Sequence, residues 1–346
     1  MRRLLLVHPT TSTNFGDHVI LEGVKKLLGG ISGADFEFDF CNVEEIEKDP
    51  SCVQKYASDG YHAMIVTGTP WLWDMCNRSN KVQGLKHLLE NISCKKIALG
   101  IGSCYPLTTN TLGQFLFQVD GKGRPDPTRQ DSLREIKEIY SMFDLIVVRD
   151  QIALRVFEEI GIKAHETICP AAFSVDAAEN IEAGETRPLL VFTNPSEGIS
   201  NESCDSVYTS DFIQFQKWFK ETYDPRVVTM CPLDRDWCVG QGWEVEWIQD
   251  IKRFEEILMQ TSFCISSRVH AAIPATVFGI DTYILPLDTR YLTAVKVGAQ
   301  PILPTGDLSW WMYDFTPKTN YWQGTMERKL VESYRFLTDL LEKELA

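Results

Sequence analysis

The chain has 346 residues, 44% apolar and 11% aromatic, which is ample for packing and more natural for two domains than for one. Its formal charge of −14 argues against nucleic acid and anionic membrane surfaces as partners, because nothing offsets phosphate repulsion. The 10 cysteines include no C-x-x-C pair, which argues against zinc-ribbon and thioredoxin-like chemistry. No apolar run reaches membrane-spanning length, so no integral membrane segment is expected, and Arg2-Arg3 followed by Leu4 to Val7 is too short for a signal peptide. The expectation is a cytoplasmic protein with reduced thiols, several of them buried as small hydrophobes.

In chain order, Arg3 to His8 reads as a buried strand, Pro9 to Phe15 as a polar loop, and Asp17 to Leu28 as a helix. Leu21, Val24, Leu27 and Leu28 form that helix's apolar stripe. At the junction, Gly16 permits close backbone approach and Asp17 can cap the helix. The loop lacks G-x-G-x-x-G and the chain lacks G-x-x-x-x-G-K-[ST], which excludes the usual dinucleotide and P-loop sites. Strands are expected at Phe36 to Phe40, Ala63 to Val66 and Lys95 to Leu99. The strand at Ala63 to Val66 ends in Thr67-Gly68-Thr69-Pro70-Trp71-Leu72-Trp73, whose indoles suit either a sugar face or a core lid; the strand at Lys95 to Leu99 runs into the turn Gly100-Ile101-Gly102-Ser103. Residues 105–129 are punctuated by Gly and Pro and read as one long loop. A helix at Ser132 to Met142 and a strand at Asp144 to Val148 follow, delivering Arg149 just before a helix at Gln151 to Ile160. There Arg149 either holds an anion or pairs with Asp150 or another carboxylate.

The polar segment 177–188 marks a domain boundary, separating residues 1–180 from 187–320. Beyond it come a strand at Leu189 to Thr193, a helix at Asp211 to Lys220, a strand at Arg226 to Met230, a loop at Pro232 to Gly242 and a helix at Asp250 to Gln260. The chemistry is concentrated in Phe263 to Leu285: a strand, Ser266-Ser267 as candidate caps, an apolar helix closed by Gly279, and another strand. Arg268 and His270 thus stand at a helix N-terminus beyond a strand end, where free N–H groups, the helix dipole and a guanidinium suit an anion. The alternative is a structural ion pair and a satisfied core histidine. Arg290 and Lys296 either join that site or solvate a helix face, and a closing helix over residues 324–346 is placed to pack back on the first domain. Alternation of strand and helix in both halves predicts two mainly parallel α/β units facing each other across a cleft, the architecture of many glycosyltransferases. In that cleft Asn14, Gly16, Asp17, Arg149, Arg268 and His270 are expected to converge.

Several of these runs resemble the polysaccharide pyruvyl transferases. The matching residues are Asn14-Phe15-Gly16-Asp17, Val147-Val148-Arg149-Asp150, Glu158-Glu159-Ile160-Gly161-Ile162-Lys163, and Ser267-Arg268-Val269-His270-Ala271 followed by Phe278-Gly279-Ile280. Two positions depart from the family pattern. Gly68-Thr69-Pro70-Trp71 stands where the family usually has a Gly-Gly turn, and Pro170-Ala171 stands near where it often has an acidic residue. The resemblance implies a GT-B-like pair of Rossmann-like domains and an enzyme of polysaccharide biosynthesis. It would transfer pyruvate from phosphoenolpyruvate onto two hydroxyls of a saccharide as a ketal, with the donor as substrate and no cofactor. Arg149 and Arg268 would hold the donor, with Asn14, Gly16, Ser267 and Arg290 lining its site. The chemistry itself needs a proton delivered to C3 and one removed from the alcohol; His270 could do either, Asp17 is a further candidate for the second, and no metal ligand cluster is visible. A GT-B nucleotide-sugar glycosyltransferase, or a relative that only binds an anionic metabolite or glycan, would use the same frame.

Overall fold

The computed structural model describes residues 1–8, 14–33, 35–57, 60–68, 80–103, 127–176, 186–194, 209–302 and 323–345. Two all-parallel sheets carry the fold. The first contains β1 (Arg2–His8), β2 (Phe36–Asn42), β3 (Ala63–Thr67), β4 (Lys95–Ile101), β5 (Leu145–Val148) and β6 (His165–Glu166), in the order β2-β1-β3-β4-β5-β6. The second contains β7 (Arg187–Val191), β8 (Arg226–Thr229), β9 (Glu246–Trp247), β10 (Thr261–Ser266), β11 (Asp281–Ile284) and β12 (Gln300–Pro301), in the order β12-β11-β10-β7-β8-β9. Strand order reverses between β1 and β3 in one sheet and between β10 and β7 in the other. In such sheets ligands bind beyond the carboxyl ends of the strands at these switch points.

Both faces of each sheet are covered, so the central strands read as apolar runs. In β1, Leu4 and Leu6 face one core while Leu5 and Val7 face another, the period-two consequence of the pleat. The helices are α1 (Phe15–Gly29), α2 (Val43–Lys48), α3 (Val53–Ala57), α4 (Asn80–Asn91), α5 (Pro127–Tyr140), α6 (Gln151–Ile160), α7 (Thr209–Tyr223), α8 (Pro232–Gly240), α9 (Ile251–Leu258), α10 (Val269–Phe278), α11 (Tyr291–Lys296) and α12 (Gln323–Leu345). The long loop expected at residues 105–129 ends earlier, since Pro127 opens α5; residues 104–126 lie outside the described residues, as do 69–79, with their Thr69-Pro70-Trp71 turn, and 177–185 of the boundary segment.

The segment expected as a loop at Pro232 to Gly242 is instead α8. Pro232 is its first residue and Asp234 sits in its first turn, a helix start that glycines at 240 and 242 disguised as punctuation.

One apolar cluster runs through both sheets. It includes Val19, Leu27 and Leu28 of α1 and Ala271, Ala272 and Ile273 of α10. The 3-10 turn Pro170–Phe173 packs against both helices. A Cβ at Gly23 would lie 1.8 Å from the Pro170 carbonyl oxygen, so only glycine lets α1 approach this turn. Gly100, at φ 78°, bulges β4 against the Pro170 ring on the other side. The proline at position 170 is therefore a packing wedge between α1 and β4. The helix α12 buries Leu337, Leu341 and Leu345, and its end accepts hydrogen bonds from Arg2 and Lys95 of the first sheet.

The Gly23–Pro170 contact predicts a sign opposite to helix propensity. Alanine is favoured over glycine inside a helix by about 1 kcal/mol, yet Gly23→Ala is expected to destabilise by about 1–3 kcal/mol because a backbone carbonyl must move. Gly29→Ala, with nothing within 4 Å of the new methyl, is the control and should be neutral or stabilising. Equal unfolding midpoints for the two variants would contradict the packing.

Candidate active site between the two sheets

Arg149 and Arg268 each stand just past a strand end, where the chain turns into a helix. Arg149 follows β5, and its N–H donates to the Ile101 carbonyl at 2.9 Å. The side chain then runs inward and is fully buried. Its Nη1 lies 3.1 Å from His270 Nε2 and 3.7 Å from Cys169 Sγ. The other two donor positions, Nε and Nη2, are buried and have no partner among the described residues. Gly102 lies alongside them, and a Cβ there would come within 2.2 Å of Nε. The ion pair with Asp150 is not formed. That carboxylate instead caps α6 through the Ala153 N–H at 2.8 Å and accepts from the Ser103 N–H and Oγ at 2.8 and 3.0 Å. A guanidinium cannot shed its charge, so burying one with no carboxylate partner among the described residues is costly.

His270 occupies the first turn of α10 on the second sheet, so its bond to Arg149 joins the two domains. Arginine only donates, so Nε2 accepts and the neutral ring carries its proton on Nδ1. Burial, followed by the charges of Arg149, Arg290 and Arg268, pushes the imidazole well below its ordinary pKa of 6.5. Pro274 has no N–H to give the His270 carbonyl, which therefore lacks its usual helical donor. The first turn of α1 meets the ring from the other side: a Cβ at Gly16 would lie 3.1 Å from Nδ1. Two helix N-termini therefore converge at this histidine.

Asn14, not Asp17, caps α1. Its Oδ1 accepts from the Gly16 N–H at 3.2 Å while its Nδ2 donates to Asp17 Oδ2 at 2.8 Å. Asp17 lies inside the first turn, where a carboxylate complements the dipole and braces the cap. Phe15 N–H donates to the Met230 carbonyl at the end of β8, at 3.0 Å, which anchors the α1 start to the second domain.

Arg268 is the residue immediately before α10. Its Nη2 donates to the fully buried Asp234 Oδ2 at 2.5 Å and to Cys231 Sγ at 3.3 Å, while Nε has no partner among the described residues. The expectation that Ser266-Ser267 cap α10 is not met: Arg268 holds the cap position, Ser266 Oγ bonds the Arg268 backbone, and the buried Ser267 Oγ reaches the Val191 carbonyl and Gln216. Arg290 engages Asp288 through Nε at 2.8 Å and through Nη2. Lys296 stands apart from these arginines. It bonds Glu166 Oε1 at 2.5 Å and the Thr167 carbonyl at 2.6 Å, tying α11 to the first sheet.

The structure thus brings together Gly16, Arg149 and His270, with Arg268 and Arg290 close enough to depress the imidazole. It turns Ser267 onto β7 and α7 and places Asn14 and Asp17 in the cap. Sequence reading missed Cys169 and Asp234. Nothing in the chain marks Cys169, whereas proline at a first helical position with an acid in the first turn marks Asp234. No group of three His, Cys, Asp or Glu side chains suited to a metal occurs among the described residues. Nor is any helix there long and apolar enough to cross a membrane.

Two parallel sheets of this kind, each with helices on both faces, define a GT-B-like α/β protein with Rossmann-like domains. Solved structures with this fold include UDP-GlcNAc 2-epimerase of Methanocaldococcus jannaschii, 10% identical over 96% of this chain and 99% of that one, with a TM-score of 0.53. MnaA of S. aureus is 12% identical over 99% of this chain and 95% of that one, at 0.54. The Neisseria meningitidis epimerase is 11% identical over 99% of both chains, at 0.51. A search of curated protein sequences finds no match. The family model described as polysaccharide pyruvyl transferase matches residues 14–289, from the α1 cap to the loop beside Arg290. The chain belongs to that family and is a transferase.

The depressed imidazole has a signed consequence. Between the folded pKa of His270 and about 6.5, the unfolded chain binds more protons, so stability should rise with pH across that window and level off above it. His8 and His165 are also lowered, so the test is a difference: His270→Asn should flatten the dependence of unfolding free energy between about pH 5 and about pH 7. Parallel curves for the variant and the parent would show that His270 is not held neutral.

Proposed function

We propose that the chain transfers the pyruvate group of phosphoenolpyruvate to two hydroxyls of a saccharide, forming a ketal and releasing inorganic phosphate. The observation that carries this reading is the buried Arg149 guanidinium, whose Nε–Nη2 edge has no partner among the described residues and whose Nη1 rests on a neutral histidine from the other domain. That edge offers two parallel N–H vectors, the match for one carboxylate or phosphate group. The N-terminal turn of α10 adds the backbone N–H groups and positive pole that favour a second anionic group.

The chemistry follows from what His270 can do. In the resting arrangement Arg149 Nη1 covers the Nε2 lone pair. A donor anion that draws the guanidinium toward itself uncovers that lone pair, and its negative charge offsets the guanidinium field that keeps the imidazole neutral. The first saccharide hydroxyl attacks C2 of the donor as C3 takes up a proton, giving a tetrahedral adduct that still carries the phosphate. His270 accepts the hydroxyl proton and delivers one to C3. The bond from C2 to the phosphate oxygen then breaks, phosphate leaves with the electron pair, and the second hydroxyl closes the ketal as its proton is lost. Asp17 is the second candidate for that proton, although its Oδ2 already accepts from Asn14.

The same frame would also serve a nucleotide sugar; the Neisseria meningitidis structure holds UDP-GlcNAc. Calorimetry with phosphoenolpyruvate and with UDP-GlcNAc separates the two donors, and only the first should bind. Arg149→Lys keeps the charge and loses the fork, and should cost about 100-fold in kcat/KM, read as phosphate release with saccharide acceptors. His270→Ala should cost about 100-fold or more in kcat. Binding of UDP-GlcNAc without phosphoenolpyruvate, or wild-type turnover in both variants, would overturn the reading.

A further inference from the structure

We propose that Asp234 is a positioning residue of this site, fixing the direction of the Arg268 guanidinium and cancelling its charge so that Arg149 is the guanidinium left to recruit the anion. The inference rests on the reading of the site as a donor-anion pocket, and it adds a residue from an element the sequence did not reveal as a helix.

Asp234 is fully buried, and each carboxylate oxygen has a defined task. Its Oδ1 accepts from the Asn194 N–H, just past β7, at 2.9 Å. Its Oδ2 accepts from Arg268 Nη2, just past β10, at 2.5 Å. The residue itself lies in the first turn of α8, just past β8. These three strands are neighbours in the order β10-β7-β8, and β10 and β7 flank the switch point. One carboxylate thus stitches together three adjacent strand ends where a Rossmann-like sheet holds its ligand. Two separate N–H donors call for two acceptor oxygens, which a carboxylate has and a neutral amide lacks, and the buried charge has a further reason.

That reason is the balance of charge around His270. Among the described residues, the guanidinium groups that act on the ring are Arg149, Arg290 and Arg268. Asp288 pairs with Arg290 and Asp234 with Arg268, whereas no carboxylate pairs with Arg149 among the described residues. Asp234 therefore trades attraction for geometry. It weakens the pull of Arg268 on an anion and in return holds one corner of the guanidinium still, leaving Nε for the donor. Without the carboxylate the site is more positive and Arg268 is no longer pinned.

The expected signature of Asp234→Asn is a split between binding and turnover. Affinity for inorganic phosphate and for phosphoenolpyruvate, read by calorimetry, should increase about threefold or more, because a neutralising charge has been removed. The kcat for phosphate release should fall about tenfold or more, because the guanidinium has lost its fixed direction. The NMR titration of His270 should move further toward acid, since a carboxylate opposing the arginine field is gone. Asp234→Glu keeps the charge and shifts it by one methylene. It should therefore retain wild-type phosphate affinity with a reduced kcat, and it serves as the readout if the Asn variant does not fold. Weaker phosphate binding in the Asn variant, or kcat unchanged in both, would overturn the assignment. Absence of phosphoenolpyruvate turnover in the wild-type protein would instead count against the proposed function, and the phosphate and NMR measurements would still decide the role of Asp234.

Discussion

The hydrogen bond between Arg149 and His270 is the interaction on which the rest of the site depends. It joins the end of β5 to the start of α10, and so one sheet to the other. It also couples two chemical states. A permanently charged donor occupies the imidazole lone pair, and the ring answers by staying neutral. Remove either partner and the other is stranded: a guanidinium buried without compensation, or a lone pair facing a cluster of positive charge.

Around that bond the fold spends its polar groups on holding strand ends in place. Asn14 and Asp17 brace the start of α1, Asp150 caps α6 while gripping Ser103, and Asp234 ties Arg268 to Asn194. The domain contact is secured at separate points. Phe15 N–H donates to the Met230 carbonyl, Lys296 reaches Glu166 and Thr167, and the Ser103 and Thr289 hydroxyls meet at 3.1 Å. Glycines provide the close approaches, at Gly23 against Pro170 and at Gly16 against His270. Small displacements here would be felt at the imidazole, because its surroundings are packed side chains and not bulk water.

Much of the fold was legible because parallel sheets advertise themselves. Runs such as Leu4 to Val7 and Leu145 to Val148 are apolar without alternation, and the helices between them show clear starts and stops, as at Asp150 and Gly161. The order of the strands was not legible, since pairing is a long-range property and the chain records only local preference. The placement of Arg149, Arg268 and His270 could be read because each follows a buried strand directly. The partners of those side chains could not. Asp234 was hidden in a proline- and glycine-flanked stretch, and the diversion of Ser267 to Val191 and Gln216 depends on a strand 76 positions away in the chain. The cap of α1 was misassigned by three residues for a simple reason: Asn14 and Asp17 are both good caps, and only the backbone decides which one stands outside the helix.

The central claim is that a small anion is held between the two domains on the Nε–Nη2 edge of Arg149, which has no partner among the described residues. The most direct test is a structure of the protein with phosphoenolpyruvate bound. The account predicts an anionic group of the donor accepting from Arg149 Nε and Nη2, with the enol carbon C3 within reach of the His270 ring. A donor seated elsewhere, with Arg149 still bonded to His270 as it is here, would contradict it.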